Sequence, residues 1–144
     1  MKNSLKTVTI LIALSTFSCG SNCSNDDFDI IGEWDVKTVE FIDQEGLMEK
    51  FCQEEGVDYD EYLETTKLFE RVEFNFQEKG VLALKNPEEM GGDGETTYNY
   101  SKGSDKLVFG GHEYGFRIES CEAVVITDFA LGESTLLEMH CERK

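Results

Sequence analysis

The sequence predicts an all-β fold, an eight-stranded antiparallel up-and-down barrel, and three observations predict it. From Gly32 onward, short runs alternate apolar and polar residues with the period of a half-buried strand. Gly-bearing turns punctuate these runs at close spacing. When the turns are placed, the apolar faces of neighbouring runs coincide across several hairpins, an agreement that a one-residue slip would destroy. A long meander with one apolar face closes most simply into a barrel, because closure removes both unpaired edges.

The first strand covers about 31–43; Trp34 and Val36 share one phase and Val39 and Phe41 the other, so a bulge is expected near Lys37 and Thr38. Next comes an insert, 44–70, that is not strand-like. Asp58 and Glu61 form a capping-box start, Val57 and Tyr62 sit where a hydrophobic staple would, and a helix over about 58–68 carries Tyr59, Tyr62 and Leu63 on one stripe. The insert is read either as a lid or as a plug over one end of the barrel. Val72, Phe74 and Phe76 mark a strand over 70–77, and the turn Glu78-Lys79-Gly80 sets Phe76 opposite Leu82 and Phe74 opposite Leu84 in a strand over 81–86. Strands over 95–101 and 105–110 join at Lys102-Gly103, with Tyr98 opposite Leu107; Gly110-Gly111 then pairs Phe109 with His112 and Leu107 with Tyr114 in a strand over 112–119. A final hairpin, 122–129 with 134–143, turns at Leu131-Gly132 and pairs Val125 with Leu137 and Ala123 with Met139.

Length and composition restrict the function. At 144 residues and 40% hydrophobic, the chain supports one globular domain. With 30 acidic against 13 basic residues and a net charge of -17, it has no basic stripe for phosphate contacts, so nucleic acid is excluded as a partner. The sequence lacks G-x-S-x-G, H-E-x-x-H and a P-loop, so no enzyme is expected. No Cys/His cluster with zinc-site spacing and no complete calcium loop occurs, and neither metal nor cofactor is expected.

The N-terminus reads as an export address. Lys2 and Lys6 precede the apolar run Val8–Leu14 and a small polar region, so residues 1–18 resemble a signal peptide. Thr16-Phe17-Ser18-Cys19 then resembles a bacterial lipobox. Cys19 is the expected lipidation site, with Cys23 a second candidate, and membrane attachment through that lipid is implied. Residues 19–29, with Asp26, Asp27 and Asp29, are expected to form a flexible acidic linker, leaving 30–144 as the barrel domain. The expected location is the cell envelope, as an outer-membrane lipoprotein facing the periplasm or the surface.

Gly32-Glu33-Trp34 at the start of the first strand, after such a leader, with Arg143 in the last strand, resembles the lipocalin-like domains of small bacterial lipoproteins. The resemblance implies that Trp34 plugs the closed end of the barrel and that Arg143 lies across its face, both as structural residues. It also implies that a small apolar ligand is held in the interior and mouth, by Phe74, Phe76, Tyr98, Tyr100, Phe109, His112, Tyr114 and Phe116. These same aromatic residues could instead fill the barrel solidly. In that case the chain would serve as an interaction or accessory module of an envelope assembly, contacting a partner through an outward patch of Val124, Ile126 and Leu136.

Cys23, Cys52, Cys121 and Cys141 remain for disulfides in an oxidising envelope. The register of the last hairpin sets Cys121 opposite Cys141, the expected bridge, with Cys23–Cys52 as a further pairing. Alternation turns His112 inward near the mouth and His140 outward.

Overall fold

The computed structural model describes residues 23–130 and 135–144. The signal segment, Cys19 and the turn at Leu131-Gly132 lie outside the described residues. In chain order the elements are β1 (Gly32–Asp43), α1 (Leu47–Glu55), α2 (Tyr59–Thr66), β2 (Glu73–Gln77), β3 (Val81–Lys85), β4 (Gly94–Tyr100), β5 (Lys106–Phe109), β6 (His112–Ser120), β7 (Ala123–Ala130) and β8 (Thr135–Arg143). The eight strands form a closed barrel in sequence order, each antiparallel to its neighbours, with β8 returning to β1. A 3-10 segment, Lys67–Arg71, leads from α2 into β2.

The hairpins with tight turns have the predicted registers: Phe74 faces Leu84, Phe76 faces Leu82, Phe109 faces His112 and Leu107 faces Tyr114. The β1 bulge falls between Val36 and Thr38, so Trp34, Val36, Val39 and Phe41 all turn the same way despite their odd spacing.

Two registers differ from expectation. β4 and β5 pair Tyr98 with Phe109 and Tyr100 with Leu107, a shift of two residues that preserves the faces. In the last hairpin Val124 faces Cys141, Val125 faces His140 and Ile126 faces Met139, not Val125 with Leu137 or Ala123 with Met139. This shift is odd, so the faces of β7 are inverted. Val124 and Ile126 belong to the core, and the predicted outward patch of Val124, Ile126 and Leu136 does not exist. The cause is a bulge at Thr127-Asp128, where Asp128 adopts the left-handed φ of 68° and Phe129 regains the inward phase opposite Leu137. Gly115 lies across from this bulge, and a Cβ there would collide with Thr127 Oγ1, so only glycine lets the Thr127 side chain fold over β6.

The core runs the length of the barrel: Trp34, Val36, Phe74, Phe76, Leu82, Leu107, Phe109, Phe116, Val124, Ile126, Met139 and Cys141 are all buried and in mutual contact. Phe28 and Ile30 join them. The segment expected to be a flexible linker is therefore folded from Cys23 onward: Ser24 to Asp27 form a hydrogen-bonded turn, and Phe28, 0% exposed, inserts among Trp34, Tyr100 and Phe116. Burying a phenylalanine contributes on the order of 1.5–3 kcal/mol, which alone does not offset a cost of about 1–2 kcal/mol per residue ordered; the disulfide and the turn hydrogen bonds add to it.

The disulfide joins Cys23 to Cys121, with Cα atoms 5.0 Å apart, and not Cys121 to Cys141 as expected. The inverted face of β7 explains the difference: Cys141 points into the core opposite Val124 and Val36, whereas Cys121 stands in the β6–β7 turn, where the N-terminal lead passes. The Cys23–Cys52 pairing is also replaced, and Cys52 and Cys141 are buried free thiols.

Candidate functional site

Three regions carry candidate residues: the barrel interior, the closed end and the helical cap. The interior residues expected to line a ligand site pack against one another. Phe74 stacks on Phe76 at 6.0 Å, Phe76 meets Tyr98 edge-on at 5.0 Å, and Tyr100 lies 5.0 Å from Phe116. Tyr98 is half-buried, and its hydroxyl donates to the Gln77 carbonyl at 2.9 Å. Burial holds the phenols of Tyr98, Tyr100 and Tyr114 above their ordinary pKa, so they stay neutral. At the open rim, Tyr114 stacks between Phe109 at 4.3 Å and Phe129 at 4.4 Å. His112, the first residue of β6, keeps its predicted inward phase beside Tyr114 and is exposed at the rim.

The space left at the open end is a void of ≈ 90 Å³ walled by Phe69, Val72, Leu84, Met90, Phe129 and Met139. Ligand sites for drug-sized molecules begin near roughly 300 Å³, so this void holds no such ligand without moving the wall. Wider, open depressions of ≈ 330 and ≈ 360 Å³ have charged walls, Asp105, Lys106, Glu113 and Arg117 in one and Asp35, Lys37, Glu70, Arg71 and Glu73 in the other; a third, ≈ 370 Å³, is lined at the rim by His112, Glu113, Tyr114, Asp128 and Phe129, and a fourth, ≈ 200 Å³, by Phe28, Ile30, Ile31, Tyr98 and Tyr100.

At the closed end, the Arg143 guanidinium lies 4.4 Å above the Trp34 ring. It donates to the carbonyls of Ile31 and Asp29, reaches the Cys121 carbonyl at 3.5 Å and pairs with Glu122 at 3.4 Å. The Trp34 indole N–H donates to the Ile30 carbonyl at 2.9 Å. One arginine thus joins the N-terminal lead, the ring at the barrel floor and the β6–β7 turn, and the disulfide repeats the same connection covalently. The requirement for Gly32 follows directly: its φ is 136°, and a Cβ there would meet Arg143 Nη1 at 2.7 Å.

The Cys141 thiol is passive. Burial, and then the charge of Asp35, push the Cys141 thiol up to about 12, which leaves no thiolate for nucleophilic or redox chemistry at neutral pH.

The cap is different. Asp58 caps α2 as predicted, accepting from the N–H groups of Asp60 and Glu61 at 2.9 and 3.2 Å. Its Tyr59 and Tyr62 rings sit 6.4 and 5.8 Å from Phe41, so α2 packs onto the end of β1 through aromatic contacts. Helix α1 was not foreseen. Its sequence, LMEKFCQEE, offers a short amphipathic repeat in which Cys52 is buried and Leu47 and Phe51, one turn apart, face solvent. Asp43 fastens both helices to β1: its carboxylate accepts from Met48 and Glu49 N–H at 2.9 and 3.0 Å and from the Tyr59 hydroxyl at 3.3 Å. Desolvation raises the pKa of this carboxyl, but the hydrogen bonds outweigh it and the net shift is downward. Phe51 is 53% exposed, and Leu47, Val57 and Ile42 are exposed with it on this end of the molecule. Around them stand the exposed acids Glu45, Glu49, Glu54 and Glu55.

Compared with known proteins, the chain matches no family model, no curated protein and no solved structure.

Proposed function

We propose that this chain is a lipid-tethered, lipocalin-like domain of the cell envelope whose filled barrel, with its helical insert between the first two strands, serves as a scaffold for protein interaction and not as a container. The observation that carries this reading is the contrast between an interior with ≈ 90 Å³ of apolar space and a cap that leaves Phe51 53% exposed. Exposed aromatic and aliphatic side chains bordered mainly by acids, with Lys50 the one basic residue of α1, are the makings of an interface core with a polar rim. The partner is a protein with an apolar centre and a basic border, complementary to Glu45, Glu49, Glu54 and Glu55.

The disulfide supports the address. A bridge at Cys23 is at home in an oxidising compartment, and it occupies the sulfur that lipid would need, which leaves Cys19 as the anchor. Four residues of chain span at most about 14 Å, so the closed end would stand near the bilayer and the cap away from it.

A photo-crosslinker placed at Phe51 in the full-length chain, expressed in its own envelope, tests the proposal. One defined protein adduct is expected, and its yield falls with added salt and disappears with Leu47→Lys. An adduct unaffected by Leu47→Lys overturns the interface. The ligand-binding reading makes the opposite forecast. A panel of fatty acids and hydrophobic dyes would raise the melting temperature saturably, and Met90→Trp, which fills the void, would abolish the rise.

A further inference from the structure

On the outer face of the β1–β8 ladder, the alternation that turns Met139 and Cys141 inward turns Glu138 and His140 outward, where they meet Glu40 on β1. Glu40 lies directly opposite Glu138, and His140 is one outward step along the same strand. One donor atom from each of the three side chains falls within 4.8 Å of the others.

Two like charges facing each other across a sheet are destabilising unless something neutralises them. Among the described residues, no lysine or arginine takes that role. Lys37 is engaged with Asp35, and Arg117, on the far side of Val125, with Glu119. The imidazole is unusual as well. His140 Nε2 is shielded from solvent and has no hydrogen-bond partner, although Glu40 Oε1 stands 3.4 Å from it. That spacing has a meaning in coordination chemistry. The edge of a tetrahedron with metal–ligand bonds of about 2.0–2.1 Å is about 3.4 Å long, so this nitrogen and oxygen already stand as two ligands of one ion would.

We propose that Glu40, Glu138 and His140 form a binding site for a divalent transition ion of the zinc class. One imidazole nitrogen with two carboxylate oxygens suits such an ion, whereas calcium and magnesium require a shell made of oxygen alone. The ion's two positive charges cancel the two carboxylates and give the shielded Nε2 its missing partner. The remaining coordination position opens to water or to a donor from a bound protein. The site sits on rigid paired strands, so only the two glutamate side chains need to rotate to close it.

The test uses the full chain, stripped with chelator and titrated with zinc by calorimetry and by melting temperature. Saturable one-to-one binding and a rise in melting temperature are expected. His140→Gln and Glu138→Gln should each weaken binding by roughly tenfold or more; in chelator neither should lower the melting temperature, and Glu138→Gln, which removes the like-charge opposition, should raise it slightly, while His112→Gln should have no effect. In the nitrogen spectrum of the imidazoles, Nε2 of His140 should move on zinc addition and that of His112 should not. No binding overturns the proposal, as does binding that survives His140→Gln. Equal affinity for magnesium or calcium would mean loose association with the carboxylates alone and also overturns it.

Discussion

Arg143 shows how far one side chain can organise a closed barrel end. Its guanidinium serves a ring, the backbone carbonyls of the N-terminal lead and a turn, and Gly32 leaves room for it. Charge-assisted hydrogen bonds contribute about 1.5–3 kcal/mol each and a partly desolvated cation–π contact about 1–2 kcal/mol. Arg143→Met, which keeps the length of the side chain, should therefore lower unfolding free energy by about 2–4 kcal/mol by denaturant titration. Gly32→Ala faces both the collision with Arg143 and a backbone dihedral that L-residues avoid, and should cost about 1–3 kcal/mol on its own. In the Arg143→Met background the collision is gone, so part of the Gly32→Ala penalty should vanish; strict additivity of the two would refute the coupling.

At the scale of elements, the cap hangs on Asp43, which accepts two helix N–H groups and a tyrosine hydroxyl. Asp43→Ala should destabilise the domain by about 1–2 kcal/mol, with hydrogen exchange accelerating first in α1 and α2. The pH dependence has a definite sign. The folded-state pKa of Asp43 is depressed below the ordinary 3.8, so its contribution is complete above that value and is lost as pH falls through the lower, folded value. Glu73 behaves alike, because hydrogen bonds from Lys144 and then Lys85 hold it below 4.5. The acid limb of the stability profile should flatten in Asp43→Ala.

The registers show what was legible in the sequence and what was not. Tight turns at Gly80 and Gly110-Gly111 sit next to strands with apolar residues of one parity, and there pattern and turn geometry leave a single solution. β7 is apolar at Val124, Val125 and Ile126, so parity is silent and the bulge at Thr127-Asp128 decides the faces. That one inversion turns Cys141, Val124 and Ile126 into the core, so Cys121 bridges to Cys23 and no outward patch forms. Phe28 and Ile30, alternating with Asp27 and Asp29, did carry a signal of burial, but the density of acids around them concealed it. The Glu40, Glu138 and His140 cluster could not be found by spacing, since its members come from strands nearly a hundred residues apart.

Across the whole molecule, the Cys23–Cys121 bridge closes a loop spanning 98 residues of sequence separation. A loop of that size removes about 4–5 kcal/mol of chain entropy from the unfolded state, although the measured effect of losing a native bridge is commonly about 2–5 kcal/mol. Cys121→Ser should lower stability within that range. Phe28 should then become accessible, which quenching of Trp34 fluorescence would report. An unchanged melting temperature in reductant would mean that Arg143 and Phe28 hold the lead unaided.

The same bridge determines how the domain responds to tension on its leading end. A pull applied ahead of Cys23 passes through sulfur into the β6–β7 turn and bypasses Gly32, so β1 is not unzipped from β2 and β8 one hydrogen bond at a time. The barrel must be sheared as a unit or the covalent link cut. Reduction would turn a mechanically stiff attachment into a peelable one.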